Sequence, residues 1–247
     1  MMNLLICIDD TDNLDSPGTG HLASMLVEQL EERGWGQGSY ITRHQLLVHP
    51  DIPYTSHNSA MCFTASLHDN CPPERLIEHA GNFLREQSAP GSDPGLCVAN
   101  AELISDIEPL VDFGTAAKQR VVSKTEAYAL ADRLGIHLSE HGGTGQGVVG
   151  ALAGVGLRLG GNDGRLKGQL ELGDPGERQS VFQLLSHPLI ELVRALDGSQ
   201  PLANELVELG EKIKTVLLGG KSVLLLEPTD IPEVPWRTCS RKLLRNY

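Results

Sequence analysis

Three aspartates stand close together near the start of the chain. Asp9, Asp10 and Asp12 directly follow the apolar run LLICI. Neighbouring carboxylates oppose one another's ionisation, so a group of three is typical of a site that holds a cation. Magnesium is commonly bound by one or two carboxylates, while phosphate oxygens and water complete its shell. Aspartates can also cap a turn or a helix start, but three so close together favour a metal site.

A Gly-rich turn follows the aspartates and leads into a predicted helix. The helix is expected to begin near Gly18, Thr19 and Gly20, where unpaired backbone N–H groups and the positive end of the helix dipole attract anions. An anion site would then adjoin the cation site, as a magnesium-bound nucleotide phosphate requires. Gly18 and Gly20 are therefore candidates for phosphate binding, and Thr19 supplies a hydroxyl for catalysis.

A second glycine-rich stretch, HGGTGQGVVGALAGVG, begins at His141. Gly145, Gly147 and Gly150 match the pattern G-x-G-x-x-G, but no strand precedes them as a dinucleotide-binding βαβ unit requires. We therefore reject the Rossmann interpretation. Two alternatives stay open: glycines that let the backbone approach a phosphate, with Thr144 beside them, or close helix packing through Gly and Ala.

A Pro-rich loop, HPDIPYTSHNSA, offers polar side chains that could orient a substrate. The two prolines stiffen the backbone and lower the entropy that is lost when the loop orders. An ordinary turn between strands would have the same composition. The candidates for substrate contact are Tyr54, His57 and Asn58 in this loop, together with His141.

The elements that must position these residues follow from the apolar periodicity. Short apolar or alternating runs predict strands over 4–8, 40–48, 60–67, 168–172 and 222–227. Apolar residues at helical spacing predict helices over 22–34 and 73–84 and near 178–195 and 202–216. Ser123 and Glu126 form a capping box for another helix, which Gly135 should end. The pattern is typical of an α/β (α+β) fold with mixed β-sheets flanked by helices.

Composition limits the classes of partner. The chain has 247 residues, a formal net charge of −12 and five cysteines without a C-x-x-C pair. An acidic surface repels polyanions, and this cysteine spacing indicates neither a disulfide framework nor a zinc ribbon. No apolar run is long enough to cross a membrane, and no leader pattern precedes the first strand. We therefore expect a cytoplasmic protein without a membrane partner.

Four stretches, taken in order, carry a resemblance to a known family. They are IDDTDNLDSPGTGHLA, HPDIPYTSHNSA, DPGLCVA and GTGQGVVGALAGVG. Together they resemble the catalytic region of the archaeal tRNA-isoleucine agmatidine synthetases, over roughly residues 1–160. The resemblance implies a kinase-like domain that uses ATP and Mg²⁺ to phosphorylate a cytidine oxygen, after which agmatine displaces the phosphate. It implies that Asp9, Asp10 and Asp12 form the metal and nucleotide site, and that Thr19 corresponds to a threonine that can be autophosphorylated.

The sequence also departs from that family. Family members are much longer and add an OB-fold and a zinc ribbon for tRNA, which are not found in these 247 residues. Basic residues of the family are replaced here by Thr55, Ser56, Gly142 and Gly143. We therefore expect a stand-alone relative that acts on a small molecule or a protein, with no nucleic-acid partner. A homodimer stays an open alternative.

The expected organisation is a catalytic ATP- and Mg²⁺-binding domain over residues 1–165, followed by a smaller α/β lobe of unknown role over 166–247. The leading hypothesis is a kinase-like or ligase-like phosphotransferase in which Asp9, Asp10, Asp12 and Thr19 are catalytic. One alternative is a phosphohydrolase with an aspartate nucleophile, because D-x-D is similar to the motif of haloacid-dehalogenase-like enzymes. The other is a nucleotide-binding regulator without catalysis.

Overall fold

The structure is a computed structural model that describes residues 1–52 and 58–247. The chain divides into two compact units, Met1–Gly160 and Gly161–Tyr247. Both combine strands with helices, and helices flank the sheet of the first unit. The predicted α/β class is therefore confirmed. No helix among the described residues is long and apolar enough to span a membrane.

The first unit is built on an antiparallel sheet. Its strands are β1 (Met2–Asp9), β2 (Gly36–Gly38), β3 (Thr42–Gln45), β4 (Ser59–Leu67), β5 (Gly95–Ala99) and β6 (His137–Glu140). The order is β6-β5-β1-β4-β3, and β2 also pairs with β4. Each described pair within this unit is antiparallel. Strand β1 is central and is buried from Leu4 to Asp9 because helices cover both faces of the sheet.

Five helices form the two layers around this sheet. They are α1 (Thr19–Glu32), α2 (Pro73–Gln87), α3 (Glu108–Gln119), α4 (Lys124–Leu134) and α5 (Gly147–Gly160). The apolar faces of α1 and α2 pack with Leu4, Ile6 and Ile8 of β1, whereas α3, α4 and α5 pack with Leu5 and Cys7. Alternate residues of one strand thus enter two different cores, as the two-residue repeat of a strand requires.

Local sequence signals fix the helix ends as predicted. Ser123 and Glu126 form the reciprocal capping box at the start of α4, and Gly135 ends that helix with left-handed backbone at φ 66°. Pro73 occupies the first turn of α2, where its missing N–H costs nothing. A short 3-10 turn, Ala101–Leu103, follows β5.

Helix α5 lies very close to its neighbours because it is rich in glycine. A Cβ at Gly156 would overlap the carbonyl oxygen of Leu110 on α3, and one at Gly154 would overlap the Sγ atom of Cys7 on β1. The contact between α5 and α3 is therefore a backbone-to-backbone approach. This confirms helix packing as one role of the small residues in this stretch.

The second unit is a mixed sheet of short strands. It contains β7 (Arg165–Leu166), β8 (Arg178–Ser180), β9 (Leu192–Ala195), β10 (Leu206–Glu208), β11 (Val216–Leu218), β12 (Lys221–Pro228) and β13 (Trp236–Thr238). Strand β9 runs parallel to β12, and β10 runs parallel to β13. A single helical turn, α6 (Val181–Leu184), and a 3-10 turn, Leu243–Asn246, complete this unit among the described residues.

The predicted helices near 178–195 and 202–216 are wrong. The first segment keeps only α6, because Pro188 lacks an N–H and disfavours helical backbone in the residue before it. In the second segment Gly210 weakens any helix, and strands β10 and β11 form instead. Short apolar runs of this kind fit either structure, and pairing with β12 and β13 decides between them.

The strand predictions of this unit have mixed outcomes. The predicted strand over 222–227 is confirmed as the core of β12. The predicted strand over 168–172 is wrong, because Gly168 adopts φ 94° and interrupts the extended run. Only the two-residue strand β7 forms ahead of it.

Candidate active site

A cavity of about 510 Å³ opens where the carboxyl end of β1 meets the starts of β5 and α5. Eight of the residues predicted from the sequence line it: Asp9, Asp10, Asp12, Thr19, Asn58, Thr144, Gly147 and Gly150. These residues come from three separate stretches of the chain, 9–19, 58 and 144–150. The fold therefore assembles the acidic loop and the glycine-rich stretch into one place.

Asp9 is the most deeply buried of the three aspartates, at 7% exposure. It lies against the first turns of α5, where a Cβ at Gly150 would overlap its Oδ2 atom. Burial raises the pKa of Asp9 well above its usual range, and the charges of Asp10 and Asp12 raise it further. A carboxylate in this environment is stabilised by a proton or by a cation.

Asp10 directly follows β1 and has an unusual backbone conformation. Among the described residues it is the one non-glycine residue with left-handed backbone, at φ 54°. Successive side chains of a regular strand point to opposite faces, yet Asp9 and Asp10 both line the cavity. Burial, and then the charges of Asp93 and Asp12, raise the pKa of Asp10 to about 6. Such backbone outliers concentrate at functional sites.

Thr19 presents its hydroxyl to an aspartate. It is the first residue of α1 and is 6% exposed, and its Oγ1 donates a hydrogen bond of 2.9 Å to Oδ1 of Asp12. Gly18 is the N-cap of α1 and Gly20 follows in the first turn. The structure thus pairs a buried hydroxyl with a carboxylate that can accept its proton.

The glycine-rich loop is tied to Asp93, which sequence reasoning missed. Both carboxylate oxygens of Asp93 accept hydrogen bonds from Thr144, one from its N–H and one from its hydroxyl at 2.7 Å. The carbonyl oxygen of Asp93 accepts a third from the N–H of Gly147 at 3.0 Å. Asp93 also lies near enough to raise the pKa of Asp10. The available signal was its place in the DPGLCVA stretch.

Gly145 and Gly147 allow close packing in this loop, as Gly150 does against Asp9. Gly145 has φ 73°, and a Cβ there would overlap the carboxylate of Glu140. A Cβ at Gly147 would overlap the carbonyl oxygen of Asp93. Gly147 also lines the cavity, as Gly150 does. Their role toward a phosphate stays a prediction.

Two cations, also missed from the sequence, reach the same cavity from the junction of α3 and α4. Nζ of Lys124 lies 2.7 Å from Oε1 of Glu140 and donates to the carbonyl oxygen of Thr144 at 2.6 Å. Nη2 of Arg120 lies 2.7 Å from Oε1 of Glu126. Both cations line the cavity with the aspartates. The site therefore carries groups for a metal and groups for an anion.

The predicted substrate contacts are divided. Asn58 lines the cavity, and its Nδ2 donates to the carbonyl oxygen of Leu47 at 2.7 Å. His141 lies elsewhere, against α2, where Arg85 and Ser139 contact its ring at 3.1 and 2.8 Å. Burial, and then the charge of Arg85, lower the pKa of His141 to about 4. Tyr54 and His57 lie outside the described residues.

The aspartates fit a cation that also binds phosphate better than a closed metal centre. Within residues 1–52 and 58–247, no three His, Cys, Asp or Glu side chains converge as a complete ligand set. Magnesium on a nucleotide needs fewer protein ligands, because phosphate oxygens and water supply the rest. Asp9 and Asp10 carry carboxylate oxygens of the kind that such an ion takes as ligands, and their binding of magnesium stays a prediction.

Comparison with known proteins identifies relatives for much of the chain. No family model matches. The chain is 30% identical to TiaS of Methanosarcina acetivorans, a 2-agmatinylcytidine synthetase for an isoleucine tRNA, over 162 residues, which covers 63% of this chain and 36% of the relative. The TiaS of Methanosarcina mazei is 31% identical over the same coverage. This chain thus spans about a third of the length of these relatives.

Solved structures agree with this relationship. A complex of TiaS with its isoleucine tRNA and ATP matches with a TM-score of 0.55 at 27% identity, covering 63% of this chain and 36% of that one. A complex of TiaS with the tRNA, AMPCPP and agmatine matches with a TM-score of 0.52 at 26% identity over the same shares. Sequence and structure together show that this chain is homologous, over 63% of its length, to the TiaS family of tRNA 2-agmatinylcytidine synthetases.

Proposed function

We propose that this protein is an ATP- and Mg²⁺-dependent phosphoryl-transfer enzyme whose catalytic domain covers residues 1–165. The observation that carries the proposal is one cavity that unites three aspartates, a hydroxyl bonded to one of them, and two cations. Phosphoryl transfer depends mainly on positioning and on stabilisation of charge, and these are the groups it requires. Homology to TiaS, which has been solved with ATP, supports the nucleotide.

Each lining side chain has a role that follows from its charge. Asp9 and Asp10 would hold magnesium, which when bound neutralises the phosphate oxygens. Asp12 accepts the hydrogen bond of Thr19 and is positioned to accept its proton. Thr19 then acts either as the acceptor of a phosphoryl group or as a phosphate ligand. Lys124 supplies positive charge beside the glycine-rich loop.

We further propose that the acceptor is a small molecule or a protein and not tRNA, although the relatives solved with tRNA bind it. A formal net charge of −12 gives this sequence an unfavourable field for a polyanion. Agmatine appears in the complex of a relative, and an amine is therefore a reasonable first member of a substrate screen. Gel-shift titration with tRNA tests the exclusion directly, and binding at physiological salt would contradict it.

Transfer of label from γ-labelled ATP tests the enzymatic proposal. We expect label on Thr19 in the presence of Mg²⁺, its loss in T19V, which preserves side-chain shape without the hydroxyl, and its retention in T19S. Mass spectrometry locates the modified residue. A hydroxylamine-labile acyl phosphate on Asp10 would instead establish the aspartate-nucleophile hydrolase. Binding of ATP with neither label nor turnover would instead support a nucleotide-binding regulator without catalysis.

A further inference from the structure

Arg120 stands at the border of two cavities. It follows the last residue of α3, and its extended backbone, at φ −143° and ψ 162°, turns the chain toward α4. The residue lines the candidate active site and also a second cavity of about 410 Å³ between α3 and α4. Glu126 and Arg133 line only the second of these two cavities. Among the residues that the structure describes, Arg120 is the one basic residue common to both linings.

The partner of Arg120 is fixed in place by the start of α4. Oε1 of Glu126 lies 2.7 Å from Nη2 of Arg120, while its Oε2 accepts hydrogen bonds of 2.9 Å from both the N–H and the hydroxyl of Ser123. The Arg120 guanidinium, and then the two donors of Ser123, lower the pKa of Glu126 to about 2. Glu126 is therefore ionised at neutral pH and competes with other anions for the guanidinium of Arg120.

The ion pair is easy to break. The side chains of Arg120 and Glu126 are 55% and 44% exposed, and exposed ion pairs contribute little to stability because solvent screens them. A phosphate group offers the guanidinium two charge-assisted hydrogen bonds and a larger negative charge than a carboxylate. A polyphosphate in the main cavity would therefore displace Glu126 as the partner of Arg120.

We propose that Arg120 is a phosphate-binding residue of the active site, held on Glu126 in the free protein and transferred to the polyphosphate of the bound nucleotide. The proposal rests on the proposed ATP-dependent function. Lys124 differs from Arg120 because the carbonyl oxygen of Thr144 and the carboxylate of Glu140 hold it within the cavity wall. The site would thus combine Lys124, whose position is fixed, with Arg120, whose guanidinium moves to the polyphosphate when the ligand binds.

Calorimetric titration of the whole protein with a non-hydrolysable ATP analogue and Mg²⁺ tests the role of Arg120. Loss of a charge-assisted hydrogen bond should weaken binding by about tenfold or more in R120A. R133A removes the same charge from the second cavity alone and should bind within about twofold of the parent, as a surface change outside the site does. Inorganic tripolyphosphate should lose affinity with R120A as the nucleotide does, whereas adenosine should not.

The competitor is tested with E126Q, which keeps an oxygen acceptor for the capping box but removes the charge. Without the competing carboxylate, Arg120 should bind the analogue more tightly by only about two- to fivefold, because an exposed ion pair is weak. That gain should vanish in the double variant R120A/E126Q. Thermal melts without ligand show that each variant is folded.

The two proposals fail in different ways. If the parent protein binds neither nucleotide nor tripolyphosphate, the ATP-dependent function is wrong. If the parent binds the nucleotide and R120A binds it equally well, Arg120 is not a phosphate ligand. The same holds if R120A loses affinity for adenosine to the same degree as for the nucleotide. If E126Q weakens binding as R120A does, Glu126 positions the guanidinium and the exchange does not occur.

Discussion

At the scale of single residues, the position of the Asp9 carboxylate depends on the absence of a side chain at Gly150. The Oδ2 atom of Asp9 occupies the space that any larger residue at position 150 would need. The contact explains why a glycine stands in the first turns of α5, and it makes that glycine part of the carboxylate's support. Changes to outer-shell contacts that orient a ligand commonly lower metal affinity by about ten- to a hundredfold.

We therefore expect G150A to displace Asp9 and to weaken Mg²⁺-dependent nucleotide binding by about tenfold or more. G160A is the matched control, because the same methyl group at the end of α5 would meet only side-chain atoms of Val111. Calorimetric titration of both variants with Mg²⁺ and an ATP analogue measures the difference. Equal affinities for G150A and the parent would show that Asp9 is not needed for the metal.

Sequence reasoning predicted the residues that stand in conspicuous local patterns and missed those that stand alone in the sequence. Asp9, Asp12 and Thr19 share one loop and one helix start, so their spacing alone indicated a site. Asp93 precedes β5 and Arg120 follows α3, and in such connections a single Asp or Arg is ordinary in a sequence. Their relevance follows from their contacts with Thr144 and Glu126 and from their place beside the cavity or its aspartates, which no local pattern reports.

At the scale of elements, the position of α5 is set by its backbone contact with α3. A methyl group at Gly156 would overlap the carbonyl oxygen of Leu110, and a carbonyl in a helix cannot move without the helix. Helix α5 carries Gly147 and Gly150 to the cavity, so a shift of this helix would also move the wall of the site.

G156A should accordingly destabilise the protein by about 1 to 3 kcal/mol, which is typical of overpacking. Urea denaturation of G156A and of G160A, whose added methyl group would meet only side-chain atoms of Val111, gives the comparison. A helix interior usually gains stability when alanine replaces glycine. Increased stability in G156A would therefore show that α3 and α5 are not locked by this contact.

Elements were predictable in the first unit and less so in the second for a physical reason. Strand β1 and helix α4 carry their own signals, a continuous apolar run and a complete capping box. The strands of the second unit that were mistaken for helices, β8 to β11, have three or four residues each. Runs of that length have no distinctive periodicity, and their structure is decided by pairing with distant partners.

At the scale of the whole molecule, the active-site charges oppose folding. The pKa of Asp10 rises from 3.8 to about 6 on folding, so the folded state binds more protons than the unfolded chain between these values. The stability that this proton contributes is complete below the unfolded pKa and is lost as the pH rises through about 6. Like-charge repulsion among the aspartates is the cost that a bound cation removes.

We expect D10N to melt at a higher temperature than the parent near neutral pH, with an advantage that shrinks as the pH falls below 6. The melting temperatures of the two proteins must be compared at each pH. Burial lowers the pKa of His137 and His141, so protonation of these histidines destabilises both proteins as the pH falls. Thermal melts across this pH range measure it. Mg²⁺ with ATP should stabilise the parent more than D10N. A constant difference at all pH values would contradict the role of Asp10.

The left-handed backbone at Asp10 also has an evolutionary consequence. Gly, Asn and Asp adopt this conformation most readily, so few substitutions at this position would keep the loop conformation. A gene copy that no longer needed catalysis could replace Asp10 with Asn or Gly and keep the loop intact. Descendants of this fold that have become pseudoenzymes should therefore be recognisable from that single letter, in an otherwise unchanged D-D-T-D motif.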